Sequence, residues 1–371
     1  MNKFKVCHVT SAHPRYDTRI FRKECVSLSK SGFQVTLVVN DNLSDETKDG
    51  VRIISTGNKF VSRLERFTKG RSALIRKLEE LESELYHFHD PDLLPIAMRM
   101  KKKGYIVIFD SHEDVPRQIE DKQWIPSPFR KLTSRVYRGY EEKICRQLDA
   151  VIGTTPQITD RFEKFNCNTT LVTNYPILAN RINKEKNTTK VVLVYAGSIS
   201  EQYKIKEIVS ILPDLEGVVL KLAGAVEEDY LNQMKTLPGW NKVEFLGRIS
   251  FSEVVELYRQ SDIGVCVLKA FQFPEGTLGN TKIFEMLMYS LPVVCSDNKI
   301  WKSIINKNNC GVCVDPDNLA EIKEGISMLC DSPELRDTYS SNGRQAVEEK
   351  YNWSSEERKL LNLYLNLLDA R

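Results

Sequence analysis

The apolar positions of this chain alternate between two rhythms. Short continuous runs, such as FKVCHVT over residues 4–10 and GFQVTLVV shortly after, read as strands buried on both faces. Between them, Ile20, Phe21, Cys25 and Leu28 recur at helical spacing within Asp17 to Lys30. Strand, helix and strand in this order predict a βαβ unit and a parallel, doubly wound sheet. The rhythm continues through LYHFHD, YIVIFD and DAVIGTT, then lapses in the polar, unperiodic stretch ILANRINKEKNTTK. It resumes at VVLVYAG, GVVLKLAG, KVEFLGRIS and DIGVCVL. The expected fold class is α/β, with two Rossmann-like doubly wound domains over residues 1–180 and 181–350. Leu360, Leu361, Tyr364, Leu367 and Leu368 then place one apolar face on a final helix within 351–371.

One stretch of the second domain carries more chemistry than the rest. Gly276 and Gly279 mark a loop with special backbone needs, and Asn280 and Thr281 are good helix N-cap types. Ile283, Phe284, Leu287 and Met288 form the buried stripe of the helix that follows, while Lys282, Glu285 and Tyr289 fall on its other side. A glycine-rich loop leading into a helix start is an anion site, because free N–H groups and the helix dipole both favour phosphate. Lys282 adds charge for a diphosphate, and Glu285 can accept hydrogen bonds from ribose hydroxyls. The plainer alternative is an i, i+3 ion pair on a surface helix, worth a few tenths of a kcal/mol.

In a parallel sheet, ligands sit beyond the carboxyl ends of the strands. The loop after the first strand is SAHPRYDTR, which lacks the G-x-G-x-x-G of a dinucleotide site and carries His13, Arg15 and Arg19. The two arginines also read simply as loop charges in surface pairs. His89 and Asp90 follow one strand, and Asp110, His112 and Glu113 follow another, so these groups can share one site. His8 and His87 fall inside strand runs and read as packing residues. Three histidines with carboxylates could also hold a metal or serve structure alone. No pair has the i, i+4 spacing of common zinc helices, so no metal is assigned.

The totals narrow the class. The chain has 371 residues and net charge +3, enough for two domains and too little charge for a nucleic-acid binder. Its nine cysteines have no framework spacing, and Cys310–Cys313 is an isolated C-x-x-C read as turn and strand. No run approaches eighteen apolar residues, so neither a spanning helix nor a secretory leader is expected, and a cytoplasmic setting is. Residues 59–77 and 124–138 are basic with interleaved aromatic and aliphatic positions. They are either solvated helix faces or contacts to an anionic membrane surface, the inner face of the cytoplasmic membrane.

The segment NTKIFEMLMYSLPVVCSD, with HFHDPDLLP, FDSHEDVP and HPRYDTRIFRKE, resembles family 4 retaining glycosyltransferases of the GT-B fold, from a bacterial polysaccharide branch. The resemblance covers nearly the whole chain. It implies two domains facing a cleft, with the last helix crossing back to the first domain. It implies a hexosyltransferase that needs no metal or cofactor, using a nucleotide sugar, with a UDP-sugar the expected donor. The acceptor would be a hydroxyl of a glycan or lipid-linked glycan. On the donor side it implies Gly197, Ser198, Lys204, Arg248, Glu275, Thr277, Asn280, Thr281, Lys282 and Glu285, with Lys282 on phosphate and Glu285 on ribose. On the acceptor side it implies His13, Arg15, Asp90, His112 and Glu113, with His89 near the reacting centre. Catalysis would then rest on His89, Lys282 and Glu285. Two positions depart from the family pattern. Thr277 stands eight residues before Glu285, where a glutamate is usual and Glu275 lies close by. Tyr203 stands where an arginine is usual, leaving Lys204 or Lys206. A nucleotide-sugar epimerase and a non-catalytic nucleotide-sugar-binding subunit stay open as alternatives.

Overall fold

The computed structural model describes residues 4–57, 65–122, 124–182, 190–269 and 278–370, with the side chains of Arg66 and Phe67 excepted. The chain divides into two compact units, Met1–Asn174 with Trp353–Arg371, and Tyr175–Asn352.

The sheet of the first unit holds β1 (Lys5–Val9), β2 (Gln34–Val39), β3 (Glu46–Lys48), β4 (Val51–Ser55), β5 (Leu85–Phe88), β6 (Ile106–Ser111), β7 (Ala150–Gly153) and β8 (Thr169–Leu171). Their order is β3-β4-β2-β1-β5-β6-β7-β8, and only β3 pairs antiparallel. Asp49 and Gly50, at φ of 49° and 77°, make the tight Asp-Gly turn of that β3–β4 hairpin. The chain fills the sheet outward in one direction from β1 and in the other from β5, so the switch point lies between these two strands.

Side-chain alternation sorts this core into two faces. Val6, Leu85, Ile106, Ile108 and Ile152 pack on one face against Ile20, Cys25 and Leu28, and against Trp353, Leu360 and Tyr364 of the final helix Trp353–Asp369. Cys7, Val9, Tyr86, Phe88, Val107 and Phe109 pack on the other. His8, His87, His89 and Asp110 all share the parity of the first face. The final helix is tied in by Trp353 Nε1, which donates to Ser27 Oγ at 2.9 Å, and by Glu356, which accepts from Thr173 N at 2.7 Å.

The segment predicted as one helix over Asp17 to Lys30 starts as a π-helix, Thr18–Cys25, and continues as an α-helix, Val26–Lys30. The Asp17 carboxylate caps it, accepting from the amides of Arg19 (2.8 Å) and Ile20 (2.9 Å). Its wider turn lets Arg19, Lys23 and Glu24 be buried beside Ile20, Phe21 and Cys25.

The second unit has six described strands, all parallel: β9 (Val191–Ala196), β10 (Val218–Ala223), β11 (Val243–Gly247), β12 (Ile263–Cys266), β13 (Val293–Ser296) and β14 (Gly311–Val314). The order β11-β10-β9-β12-β13-β14 puts the switch point between β9 and β12. Apolar clusters cover both faces of this sheet, centred on Phe284, Met286 and Trp301 on one side and on Ile208, Leu222 and Ile326 on the other. The Cys313 sulfur on β14 lies 3.9 Å from that of Cys295 on β13, and both are free thiols.

Leu360 is fully buried against the first unit's sheet, whereas Leu365 on the same helix is exposed. Leu360→Ala should therefore cost about 2–5 kcal/mol, and Leu365→Ala should stay within about 0.5 kcal/mol. Urea midpoints followed by circular dichroism check both.

Candidate functional site

In the first unit the switch point brings all five histidines together. His8 on β1 is the register partner of His87 on β5, and β5 lies beside β6, which ends on Asp110 and Ser111. His8 Nδ1 lies 2.9 Å from His89 Nε2, and His89 Nδ1 lies 3.3 Å from Asp110 Oδ2. His112 Nε2 is 3.0 Å from the same oxygen. Tyr364 Oη bridges His87 Nδ1 (2.7 Å) and His8 Nε2 (3.0 Å).

Arg19 holds the carboxylate of this cluster. It donates to Asp110 through Nε at 2.9 Å and Nη2 at 3.0 Å, and to the Val172 carbonyl through Nη1 at 2.9 Å. Burial alone would raise the Asp110 carboxyl, but Arg19 and then His112 outweigh it and hold it well below the usual carboxylate range. Glu24, 3.1 Å from Arg19 Nε, goes the other way: burial outweighs Arg19 and pushes it well above the usual range. Burial lowers His89 to about 4 and carries His8 and His87 well below their ordinary value, so all three rings are neutral near pH 7.

A second pair stands at the edge of this cluster. His13 Nδ1 lies 3.0 Å from Asp90 Oδ1, and the other Asp90 oxygen accepts from Thr10 Oγ1 and the amide of Ser11, both at 2.7 Å. Burial would lower His13, but its hydrogen bond to Asp90 outweighs that and raises it. The His13 and His112 ring centroids are 5.0 Å apart.

The predicted acceptor-side residues thus differ in what they offer a ligand. The His89 side chain is 0 % exposed and both its nitrogens face other groups of the cluster. His112 and His13 are the accessible rings, at 15 % and 30 %. Arg15 is no surface charge: it is buried, clamped on Asp41 by Nε (2.8 Å) and Nη2 (2.9 Å) and on Glu46 by Nη1 (2.6 Å). Arg19 is likewise buried rather than paired at the surface. Glu113 is exposed and accepts from Gln118. Glu24 and Tyr364 are additions to the sequence reading, while Arg19, His8 and His87, read there as a loop charge and as packing residues, join the cluster. The available signal was a helix whose charged positions fall on its apolar side.

Two residue groups have donor sets that a cation could use, His8/Glu24/His87/His89 and His89/Asp110/His112. In the first, His8 Nδ1 and His89 Nε2 are 2.9 Å apart, a hydrogen-bond length. Two zinc ligands in a tetrahedron stand about 3.3 Å apart. A cation there would have to break that bond.

In the second unit the switch point is lined by backbone. Gly197, Gly224 and Gly247 follow or close β9, β10 and β11, all at positive φ (148°, 149° and 63°). A Cβ on Gly224 would meet the Gly197 carbonyl oxygen at 1.6 Å, and one on Gly197 would meet Lys282 Cε at 2.1 Å. Lys282 therefore lies along the Gly197 turn. Its Nζ donates to Tyr203 Oη at 3.1 Å and sits 4.4 Å from that ring's centroid. Lys282–Met288 is the helix, with Asn280 Oδ1 accepting from the Lys282 amide at 3.3 Å and Thr281 Oγ1 donating to Glu285 Oε1 at 3.1 Å.

Among the other donor-side residues, Ser198 and Arg248 are exposed. Lys204 is buried in a left-handed conformation (φ 50°), with Nζ on Asp317 at 2.8 Å and Glu207 at 3.2 Å. Two carboxylates thus already hold its charge. Glu275 and Thr277 lie outside the described residues, as do Lys59 and Arg63 of the first basic stretch.

The second basic stretch falls on the helix Ser127–Cys145. Phe129, Leu132, Val136 and Tyr140 form an exposed apolar stripe along it, from 40 % exposed at Tyr140 to 65 % at Val136, and Trp124 ahead of it is 72 % exposed. Lys131, Arg135 and Arg138 are exposed beside that stripe. No described helix is long and apolar enough to cross a membrane.

Comparison with known proteins places both halves. The model described as Glycosyltransferase Family 4 matches residues 19–174, and the one described as Glycosyl transferases group 1 matches residues 177–346. An uncharacterized glycosyltransferase of Methanocaldococcus jannaschii is 25% identical over 177 residues, 46% of this chain and 44% of that protein, so the match spans less than half of the relative. Sucrose-phosphate synthase from Thermosynechococcus elongatus superposes with a TM-score of 0.78 at 15% identity, over 100% of both chains. A glycosyltransferase from Rickettsia africae gives 0.75 at 14% identity, also over 100% of both. HepE of Anabaena, in complex with UDP and glucose, gives 0.71 at 12% identity over 98% of this chain and 100% of that one. Residues 19–174 and 177–346 thus match two glycosyltransferase family models in tandem, and the two parallel-sheet units have the GT-B fold of the solved glycosyltransferases they superpose on.

Proposed function

We propose that the chain moves a sugar, with retention and without a metal, from a UDP-sugar to a hydroxyl of a glycan or lipid-linked glycan in surface polysaccharide synthesis. The observation that carries this reading is Lys282 lying along Gly197, beside the bare backbone of Gly224, at the switch point of the second unit. Side chains are missing where a diphosphate must approach the backbone, and one ammonium stands ready there. HepE, a protein of similar fold, holds UDP and glucose in its structure. As the bond from C1 to the diphosphate breaks, charge grows on the leaving oxygens, where Lys282 acts. Glu285 takes the ribose hydroxyls. On the acceptor side, His112 and His13 are the rings accessible to a substrate hydroxyl, and Asp110 and Asp90 orient them.

Lys282→Ala should lower kcat/KM for the UDP-sugar by about 10²–10³ and remove the rise in Tm that UDP gives the wild type. Full turnover by this variant would overturn the reading. A thermal-shift panel of nucleotide sugars selects the donor. Nucleotide released only when an acceptor is present excludes an epimerase, and any transfer excludes a purely binding role.

The partner surface in this reading is an anionic bilayer. The stripe Phe129, Leu132, Val136 and Tyr140, with Lys131, Arg135 and Arg138 beside it, has the apolar and cationic parts of an interfacial helix. Phe129→Ser with Val136→Ser, and separately Arg135→Glu with Arg138→Glu, should each cut flotation with phosphatidylglycerol vesicles several-fold. Undiminished flotation of both would rule the bilayer out.

A further inference from the structure

Two proton orders are open to the buried cluster of the first unit, and the Asp110 anion selects between them. Asp110, held as an anion by Arg19, can only accept. A neutral imidazole has one N–H and one lone pair. His89 Nδ1, 3.3 Å from Asp110 Oδ2, therefore carries the proton, and His89 Nε2 is left as an acceptor. His8 Nδ1, 2.9 Å away, must donate to it. His8 Nε2 must then accept from Tyr364 Oη at 3.0 Å, and the Tyr364 oxygen accepts from His87 Nδ1 at 2.7 Å. The reverse order would let His89 Nδ1 accept from His112 Nε2, also 3.3 Å away, but would set its lone pair against the Asp110 carboxylate at the same distance. Glu24 does not upset this direction. Its Oε2 is 3.8 Å from His8 Nδ1, 4.0 Å from His87 Nδ1 and 3.9 Å from His89 Nε2, beyond hydrogen-bond length.

His112 is ordered by the same carboxylate. Its Nε2, 3.0 Å from Asp110 Oδ2, must donate, so in the neutral ring Nδ1 carries the lone pair. That nitrogen has no hydrogen bond to a described residue, and the ring is 15 % exposed.

We propose that Asp110 orders a one-way hydrogen-bond relay running from His87 through Tyr364, His8 and His89. The relay makes Tyr364, on the final helix, a positioning residue for Asp110. Asp110 in turn makes His112, rather than the sealed His89, the ring that presents an unprotonated nitrogen to a substrate hydroxyl. The relay stands whatever the donor is. Its consequence for transfer rests on the proposed function.

Long-range proton–nitrogen spectra of the ¹⁵N-labelled full chain separate protonated from bare imidazole nitrogens without any substrate. The wild type should show His8, His87 and His89 protonated at Nδ1 and His112 at Nε2. Asp110→Asn, whose amide can donate to His89 Nδ1, should move the protons of His89 and His8 to Nε2. Tyr364→Phe should release His87 alone and leave His8 and His89 as they were. A wild-type His8 protonated at Nε2 would overturn the relay. So would an unchanged His8 in Asp110→Asn, or a Tyr364→Phe spectrum in which His8 inverts. Should Asp110→Asn fail to fold, the wild-type and Tyr364→Phe spectra decide alone. In turnover, Tyr364→Phe should lower kcat several-fold with the donor KM unchanged. An unchanged kcat beside an ordered spectrum would end the positioning role. Failure of the donor reading would show instead in Lys282→Ala.

Discussion

A carboxylate kept charged in a dry interior governs the first unit. Removing an isolated ion from water costs several kcal/mol, and a buried charge persists only when it is paired and hydrogen-bonded. Asp110 at the end of β6 meets that condition through Arg19, whose planar fork takes both carboxylate oxygens while its remaining nitrogen takes the Val172 carbonyl. Arg19 must then be buried, so the helix carrying it has to start directly after the β1 loop. Asp17 starts it by capping the amides of Arg19 and Ile20. The π-turns that follow bury Glu24 beside the same guanidinium. Helix start, helix type and the buried carboxyl pair are thus answers to one electrostatic problem.

The two units solve different problems at the same place in the fold. Both have parallel sheets covered on both faces, so their strand centres carry apolar side chains and the chemistry sits at the carboxyl ends, near the strand-order reversal. In the first unit that edge carries side chains able to accept or donate protons. In the second it carries glycines at positive φ, where the backbone itself is exposed to a ligand and a Cβ would strike a neighbour. One edge suits proton handling at a hydroxyl, and the other suits close approach by an anion.

The parallel-sheet architecture was legible because doubly covered strands have to be written as apolar runs, and the helix after Asn280 because its buried stripe, Ile283, Phe284 and Leu287, keeps a 3.6 period. What each charged group touches was not legible. Arg15 and Arg19 look like loop charges because their partners, Asp41, Glu46 and Asp110, are distant in sequence. The histidines at strand ends stand out, but whether His89 or His112 meets solvent depends on His8 and Tyr364, which enter from β1 and the last helix. Gly224 passed unnoticed because its closeness to Gly197 is a matter of register between β10 and β9. Two signals were available in the sequence: the Asp49-Gly50 hairpin turn, and charged Arg19, Lys23 and Glu24 interleaved with a helix's apolar positions.

Tyr203 is the position where the resemblance and the structure together say most. An arginine there would place a second full charge beside Lys282. The phenol instead accepts one hydrogen bond from the ammonium and lies within cation–π distance of it. Lys282 keeps two of its three donors, and Tyr203 keeps its own O–H, so the pair can still offer an oxyanion three hydrogen bonds. Relative to an arginine–lysine pair, both the formal positive charge and the number of donors are halved. Coulomb attraction to a diphosphate falls with that charge, whereas hydrogen-bond geometry does not. In the proposed donor reading, recognition at this site depends more on where the anion's oxygens lie than on how many charges it carries, with Gly197 leaving room for the lysine stem because no Cβ is there to push it aside.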